Sequence, residues 1–262
     1  MLHVCRLFIS VFLLVNALLM IGCTGTGYST SSIPAAAGRF SSVTNEFPGV
    51  VMVVLPNNSG LCTGSIVGPK SVLTATHCLK ANGTYTVRSK RGDFQTSHRV
   101  FLGNGGVDDT NDIGLLIFDD ETLTTLGEEI YSIASSANVG DAATIVGFGC
   151  NSVETGKNSG LKRFGTNVIA EKNAFLILLT PKTNTSRGII GDANQAGTCF
   201  GDSGGPLFVT RNGRLEIAGV THAGGSFGNY YISEFTNVAT SAPNRAFLQS
   251  TNSQYALSMR GF

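Results

Sequence analysis

The run Thr198-Cys199-Phe200-Gly201-Asp202-Ser203-Gly204-Gly205-Pro206-Leu207 constrains this 262-residue chain more than any other segment. Glycines flank a single serine, and an aspartate stands just before it. Gly201, Gly204 and Gly205 admit positive φ angles and the close approach of another backbone. Such a turn presents a hydroxyl with little side-chain bulk around it. It also directs two amides, those of Gly201 and Ser203, toward one small space that suits an oxyanion. An ordinary glycine-rich turn has the same composition, so the remainder of the chain has to discriminate.

Two upstream segments do so. Thr74-Ala75-Thr76-His77-Cys78 follows the apolar stretches Ser65-Ile66-Val67 and Val72-Leu73. Asn111-Asp112-Ile113-Gly114-Leu115-Leu116-Ile117 sets one acid at the mouth of an apolar strand. The chain order is His77, Asp112, Ser203, one of three orders known for this set of groups on unrelated folds. On these three motifs, over about residues 46 to 250, the chain resembles the trypsin/chymotrypsin family of serine endopeptidases. Thr76 stands where that family usually has alanine.

The resemblance implies an all-β fold: two antiparallel six-stranded β-barrels with a C-terminal helix, and the active site in the cleft between them. It implies Ser203 as nucleophile and His77 as its base, then as acid toward the leaving amine. Asp112 would hold the imidazole tautomer, and the Gly201 and Ser203 amides would form the oxyanion hole. Asp108, Asp109, Asp119 and Asp120 flank the apolar strand and are expected at solvent, as is His98.

Composition agrees with this class. The chain has 33 glycines and only 13% charged residues. Short β-branched runs, among them Val50 to Leu55, Ala143 to Gly147 and Leu215 to Val220, alternate with turn signals such as Gly68-Pro69, Asn82-Gly83 and Gly103-Asn104-Gly105-Gly106. That spacing predicts a sandwich or barrel. The one helical candidate runs from Ala242 to Ser250. Net charge is +1, so nothing points to nucleic acid. No phosphate loop or metal-ligand cluster is read, and no cofactor or metal is expected. The expected partner is a protein or peptide substrate, and a monomer is favoured.

The N-terminus reads as a targeting segment. Arg6 precedes a nearly unbroken apolar run from Leu7 to Ile21, the length of a signal-peptide core. Leu19-Met20-Ile21-Gly22-Cys23 resembles the bacterial lipobox, which implies cleavage before Cys23 and lipidation of its thiol. By the same resemblance to bacterial lipoproteins, Thr24 after the cysteine implies an outer-membrane lipoprotein of the bacterial cell envelope. An ordinary secretory signal, giving a secreted or periplasmic protein, is the alternative. The expected organisation is a signal peptide at 1–22 and a lipidated flexible tether at 23–39. A protease domain follows at 40–250, its first barrel at 40–130 and its second barrel and helix at 131–250, with a tail at 251–262.

Cys5 leaves with the signal, and four cysteines remain beside Cys23, which allow three pairings. The family resemblance selects Cys62–Cys78, closing the loop that carries His77. The usual partner of Cys199 is missing, since 219–235 holds no cysteine. Val146-Gly147-Phe148-Gly149 resembles the family's Gly-Trp-Gly strand end, beside the nucleophile segment, and so implies Cys150–Cys199.

The pocket departs from trypsin. Gly197, six residues before Ser203, stands where trypsin-like enzymes carry an aspartate. With Thr198 beside it and His222-Ala223-Gly224 as the opposite wall, the resemblance implies no strong preference for Arg or Lys. A small or apolar preference is expected ahead of an acidic one. Glutamate-specific relatives use a histidine and a hydroxyl, but His222 falls one residue late for that role, and in a strand one step changes faces. Asp202 is present without the Ile-Val-Gly-Gly start that pairs with it in the family. Cleavage near Arg39-Phe40 leaves a short arm, so either another cut or an internal donor must serve Asp202. The competing reading is a protease-like binding or adhesion module. An esterase of the α/β-hydrolase form is disfavoured by chain order.

Overall fold

Val50 to Val54 is a β-branched run buried on both faces, as expected of a strand with neighbours on either side and protein above and below it. In the computed structural model it is an interior strand of a seven-stranded sheet. The structure describes residues 41–42, 46–106, 108–121, 123, 129–150, 156–179, 182–183, 196–227 and 230–262. All lie in one unit, Ile33–Phe262. The expected signal, tether, lipidated Cys23 and Arg39-Phe40 lie outside the described residues.

The N-terminal strands are β1 (Ser41–Ser42), β2 (Val50–Val54), β3 (Leu61–Gly68), β4 (Ser71–Thr74), β5 (Tyr85–Ser89), β6 (Gly92–Thr96), β7 (Arg99–Leu102) and β8 (Ile113–Ile117). Seven of them form the first sheet, in the order β6-β5-β2-β3-β4-β8-β7. The C-terminal strands are β9 (Ser132–Ile133), β10 (Ala142–Gly147), β11 (Arg163–Lys172), β12 (Leu176–Leu179), β13 (Lys182–Thr183), β14 (Pro206–Arg211), β15 (Arg214–Phe227) and β16 (Tyr230–Asn237). Six of these pair round in a ring, β16-β12-β11-β10-β14-β15 and back to β16. The two-residue strands β1, β9 and β13 add to it at the margins. Among the described residues, every strand pairing is antiparallel except β9 with β15. The expected all-β pair of barrel-like sheets with a C-terminal helix is therefore the fold.

Local chemistry sets the register around the nucleophile turn. Asn212-Gly213 joins β14 to β15, with φ of 51° and 73° at the two residues. Two successive positive φ angles make the tight hairpin whose twist matches its strands. That hairpin pairs Arg211 with Arg214, and a one-residue register shift between Leu207 and Phe208 then sets Pro206, at the other end of β14, against Val220.

Two features differ from expectation. Ser41 and Ser42 pair with Phe164 and Arg163, so the start of the expected first-barrel segment belongs to the second sheet. The helix α1 runs from Ala242 to Tyr255, beyond Ser250. Leu257 and Met259 after it are buried, so the last residues are part of the packed fold. His98 is half-buried, its ring edge-on to Tyr255 at 5.0 Å between centroids. The larger apolar core contains Val51, Leu73 and Leu115 from the first sheet with Val146, Phe208 and Val220 from the second, so the two sheets share packing. Among the described residues no helix is long and apolar enough to cross a membrane.

Candidate active site

His77 rides on a 3-10 turn, Thr76–Leu79, directly after β4. The turn is tied down at both ends. Thr76 Oγ1 donates to the Ile113 carbonyl at 2.8 Å and also meets the Leu102 carbonyl, so the extra hydroxyl at this position anchors the turn to β7 and β8. A disulfide joins Cys78 to Cys62 on β3. Asp112, just before β8, is wholly buried. Its Oδ1 accepts the His77 backbone N–H at 2.8 Å, and its Oδ2 meets His77 Nδ1 at 2.6 Å. A second imidazole reaches the same atom: His222 Nδ1 lies 2.7 Å from Oδ2. Burial by itself raises the Asp112 carboxyl, but the hydrogen bonds from His222 and His77 outweigh it and bring the pKa down to about 2.

Asp109 corrects the expectation that it sits at solvent. It is buried, and its carboxylate accepts the N–H groups of Asn104, Gly105 and Asn111. This orders the loop laid against His77, where a β-carbon at Gly105 would stand 2.9 Å from His77 Cα. Nothing in the sequence around Asp109 distinguishes it from its solvent-facing neighbours.

Ser203 lies on the turn between Cys199 and β14. Gly204 has φ of +81°, and a β-carbon there would fall 2.0 Å from Thr74 Oγ1. Only glycine lets this turn press so closely on β4. Thr63 on β3 fastens the turn from the first sheet. Its N–H donates to the Ser203 carbonyl at 2.8 Å, and its Oγ1 donates to the Gly201 carbonyl at 2.8 Å while accepting the Phe148 N–H at 3.0 Å. Cys78 Sγ lies 3.7 Å from the Ser203 carbonyl oxygen, which brings the serine's backbone beside that of His77. Ser203 Oγ and His77 are not hydrogen-bonded in this structure. In unliganded enzymes of this chemistry that bond is often long and closes with substrate. Neither the Gly201 nor the Ser203 N–H has a partner among the described residues, whereas the intervening Asp202 N–H is used by the Cys199 carbonyl.

Asp202 points away from solvent. Its Oδ1 accepts the Gly149 N–H at 2.7 Å and its Oδ2 accepts the Cys199 N–H at 2.8 Å. A β-carbon at Gly147 or Gly149 would overlap the carboxylate, at 2.1 and 2.4 Å. Burial pushes the pKa of Asp202 up to about 7, against the pull of these two amides and the charge of Arg163. The buried Arg163 also donates through one nitrogen to the carbonyls of Gly149, Asn158 and Leu161. A disulfide joins Cys199, itself one of the amide donors, to Cys150, the neighbour of the other.

Beside Ser203 opens a hollow of about 170 Å³. It is smaller than the roughly 300–1,000 Å³ of pockets for drug-sized ligands and suits one side chain. Thr198, His222, Ala223 and Gly224 line it, with Thr221, Phe200 and Tyr231. Among the described residues, no carboxylate, lysine or arginine lines it. Gly197 is buried but does not line it. Tyr231 donates to the Thr198 carbonyl at 2.5 Å, and Ser233 Oγ accepts the Thr198 N–H at 2.9 Å. Sequence reasoning missed Tyr231, Ser233 and Thr63. The alternation of buried Tyr231, Ser233 and Phe235 along β16 was the available signal for the first two.

His77, Asp112 and His222 also bring three potential metal-ligand atoms within 4.8 Å. Their separations of 2.6 and 2.7 Å are those of hydrogen bonds. Two ligands each about 2.0–2.1 Å from a tetrahedral ion sit roughly 3.3 Å apart. The second such group, Cys62, His77 and Cys78, has both sulfurs in a disulfide.

Comparison with known proteins agrees with this geometry. A family model described as Trypsin matches residues 37–243. Glutamyl endopeptidase of Bacillus licheniformis is 32% identical over 137 residues, 46% of this chain and 43% of that protein. Brachyurin of Leptuca pugilator is 27% identical over 184 residues, 65% of this chain and 80% of that protein. The matched part thus spans less than half the length of the first relative and most of the second. A solved Glu endopeptidase in complex with MPD superposes with a TM-score of 0.62 at 16% identity, covering 82% of this chain and 97% of that one. Human heparin binding protein gives 0.62 at 20% identity, covering 80% and 94%. At such identities the likeness is one of fold. The family model spans most of the chain, including all three motif segments, and this chain belongs to the trypsin family of serine proteases.

Proposed function

We propose that this chain hydrolyses peptide bonds as a serine endopeptidase, with Ser203, His77 and Asp112 as its hydrolytic centre. The observation that carries the reading is the buried Asp112 carboxylate gripping both the ring and the backbone of His77. A serine hydroxyl is too weak an acid to attack an amide unaided, so His77 takes its proton as Oγ adds to the carbonyl. With Nδ1–H donated to Asp112, the tautomer of His77 leaves Nε2 free to act as that base. The carbonyl oxygen becomes an oxyanion, and the Gly201 and Ser203 amides, which have no partner among the described residues, are its donors. His77 returns the proton to the leaving amine, and water repeats the sequence on the acyl-enzyme. A fluorophosphonate should label wild type once and leave Ser203→Ala unlabelled. Labelling of both would place the nucleophile elsewhere.

The described walls of the hollow carry no charge, which supports non-tryptic specificity, with small or apolar side chains preferred at the cleavage site. A second reading, acidic specificity, is favoured by the similarity to glutamyl endopeptidase. Against it, His222 Nδ1 is already engaged by Asp112. Cleavage of a peptide library separates the two. The intact hydrolytic set argues against a purely binding module, the trade suggested by the name of heparin binding protein.

We infer that Asp202 is held by internal donors, the Gly149 and Cys199 amides, with no need of a newly cut terminus. Intact-mass measurement of labelled protein tests this. Two disulfides fit an oxidising compartment and hence export. Lipidation at Cys23, an outer-membrane address and a monomeric state belong to the same proposal, as does a protease domain divided near residues 130 and 131, with Ser41–Ser42 counted to its second sheet and its end moved from 250 to past Met259. Mass spectrometry of the membrane fraction tests the lipid.

A further inference from the structure

We propose that His222 is a positioning residue of this centre, holding Oδ2 of Asp112 from the opposite sheet and sharing that oxygen with the imidazole of His77. The inference rests on the reading of Ser203, His77 and Asp112 given above. His222 is on β15, whereas His77 and Asp112 hang from β4 and β8 of the first sheet. Its ring is buried and stands edge-on to that of His77, at 68° with 6.4 Å between centroids. The register of β15 against β16 shifts between Thr221 and Ala223, so His222 sits on a bulge. Bulges re-aim a side chain that strict alternation would send elsewhere. Here the bulge turns a residue of the specificity wall toward the acid of the other sheet.

The sharing has a chemical consequence. With Asp112 ionised, both histidines donate Nδ1–H to one oxygen, and that oxygen's charge is divided between them. The reaction needs an imidazolium at His77 in its transition state. A proton already on His222 cancels the same carboxylate charge, and the imidazolium at His77 then loses its stabilisation. His222 therefore holds the acid in place while neutral and switches the centre down when protonated.

Among the described residues, these titratable groups stand near the pair. Asp112 comes from the approach to β8, and Asp109 orders the loop against His77. Tyr231 on β16 lines the hollow beside His222 and stays neutral below about pH 12. Asp202 acts on Tyr231 from the nucleophile turn. Its titration is common to wild type and variants, so differences between their profiles isolate His222.

The test uses the rate of fluorophosphonate modification of Ser203 in the full chain, followed from about pH 4 to 9. At pH 8, His222→Ala should slow modification roughly ten- to a hundredfold, the usual effect of deleting a hydrogen bond to a charged group. His222→Gln, which keeps an N–H donor and loses the titrating ring, should recover most of the rate. Its acid limb should be shallower than that of wild type by about one proton. Equal rates in wild type and His222→Ala, or the same acid limb in wild type and His222→Gln, would overturn the proposal. If His222→Ala does not fold, the His222→Gln profile decides alone. Failure to modify wild type at any pH removes the hydrolytic reading and this one with it. Modification of wild type with unchanged variant profiles removes only this one.

Discussion

Asp112 and Asp202 are both buried carboxylates in the same cleft, yet they are held in opposite electrostatic condition. Asp112 meets two imidazoles and a backbone amide and stays ionised down to about pH 2. Asp202 meets two backbone amides with Arg163 near by, and burial lifts it to about 7. Burial is the largest single influence on both. What differs is the partners: imidazoles can take up positive charge as the reaction proceeds, and amides cannot. Asp112 is thus equipped to stabilise a moving charge, and Asp202 to hold a loop. The donors of Asp202 are one half-cystine of the Cys150–Cys199 bridge and the residue next to the other, which makes its cage a matter of covalent architecture.

The largest expected effect falls on the first site. Asp112→Asn should leave the fold intact and reduce turnover roughly 10⁴-fold, the loss general to this triad chemistry when its acid is neutralised. Steady-state kinetics with a peptide substrate checks it, and a loss below tenfold would erase the distinction between the two aspartates. Asp202→Asn should cost less, about 10²-fold in turnover. An amide cannot accept both the Gly149 and Cys199 N–H groups through oxygen, so the turn bearing the oxyanion donors shifts. Its signature is a fall in kcat with little change in KM. Thr63→Val should cost least, roughly tenfold. It removes the hydroxyl that ties Gly201 to Phe148 but keeps the backbone bond to Ser203.

Stability against pH sharpens the same contrast, with opposite signs. The folded pKa of Asp112 lies below its ordinary value of 3.8, so its stabilisation, on the order of 2 kcal/mol, is present above that pH and is lost as pH falls toward 2. The folded pKa of Asp202 lies above 3.8, so the folded state binds the extra proton. Stability then falls as pH rises from about 4 to 7, by on the order of 4 kcal/mol. Melting temperatures of wild type and Asp202→Asn across that window check it. The decline should be present in wild type and absent in the variant.

The two halves of the site were unequally legible in the sequence. His77, Asp112 and Ser203 sit in short contiguous motifs, and the strands between turn signals were readable as β-structure. The aim of His222 was not readable, because it depends on a bulge that breaks the two-residue alternation. Its place in the sequence pointed to the hollow, and its ring does line it, but its Nδ1 serves Asp112. The cage of Asp202 was equally hidden. It is made of main-chain amides, which carry no residue identity, and of empty space above Gly147 and Gly149. Thr63 is unreadable for a related reason: the three bonds by which it fastens the turn reach residues 85 to 140 positions away, and a lone threonine in a strand signals none of them.

The most direct measurement is active-site titration with a fluorophosphonate on protein of verified intact mass, with peptide mapping of the label. The account predicts one label per chain, on Ser203, formed slowly in Asp112→Asn and not at all in Ser203→Ala. A label on another residue, or labelling of wild type no faster than of Asp112→Asn, would contradict it.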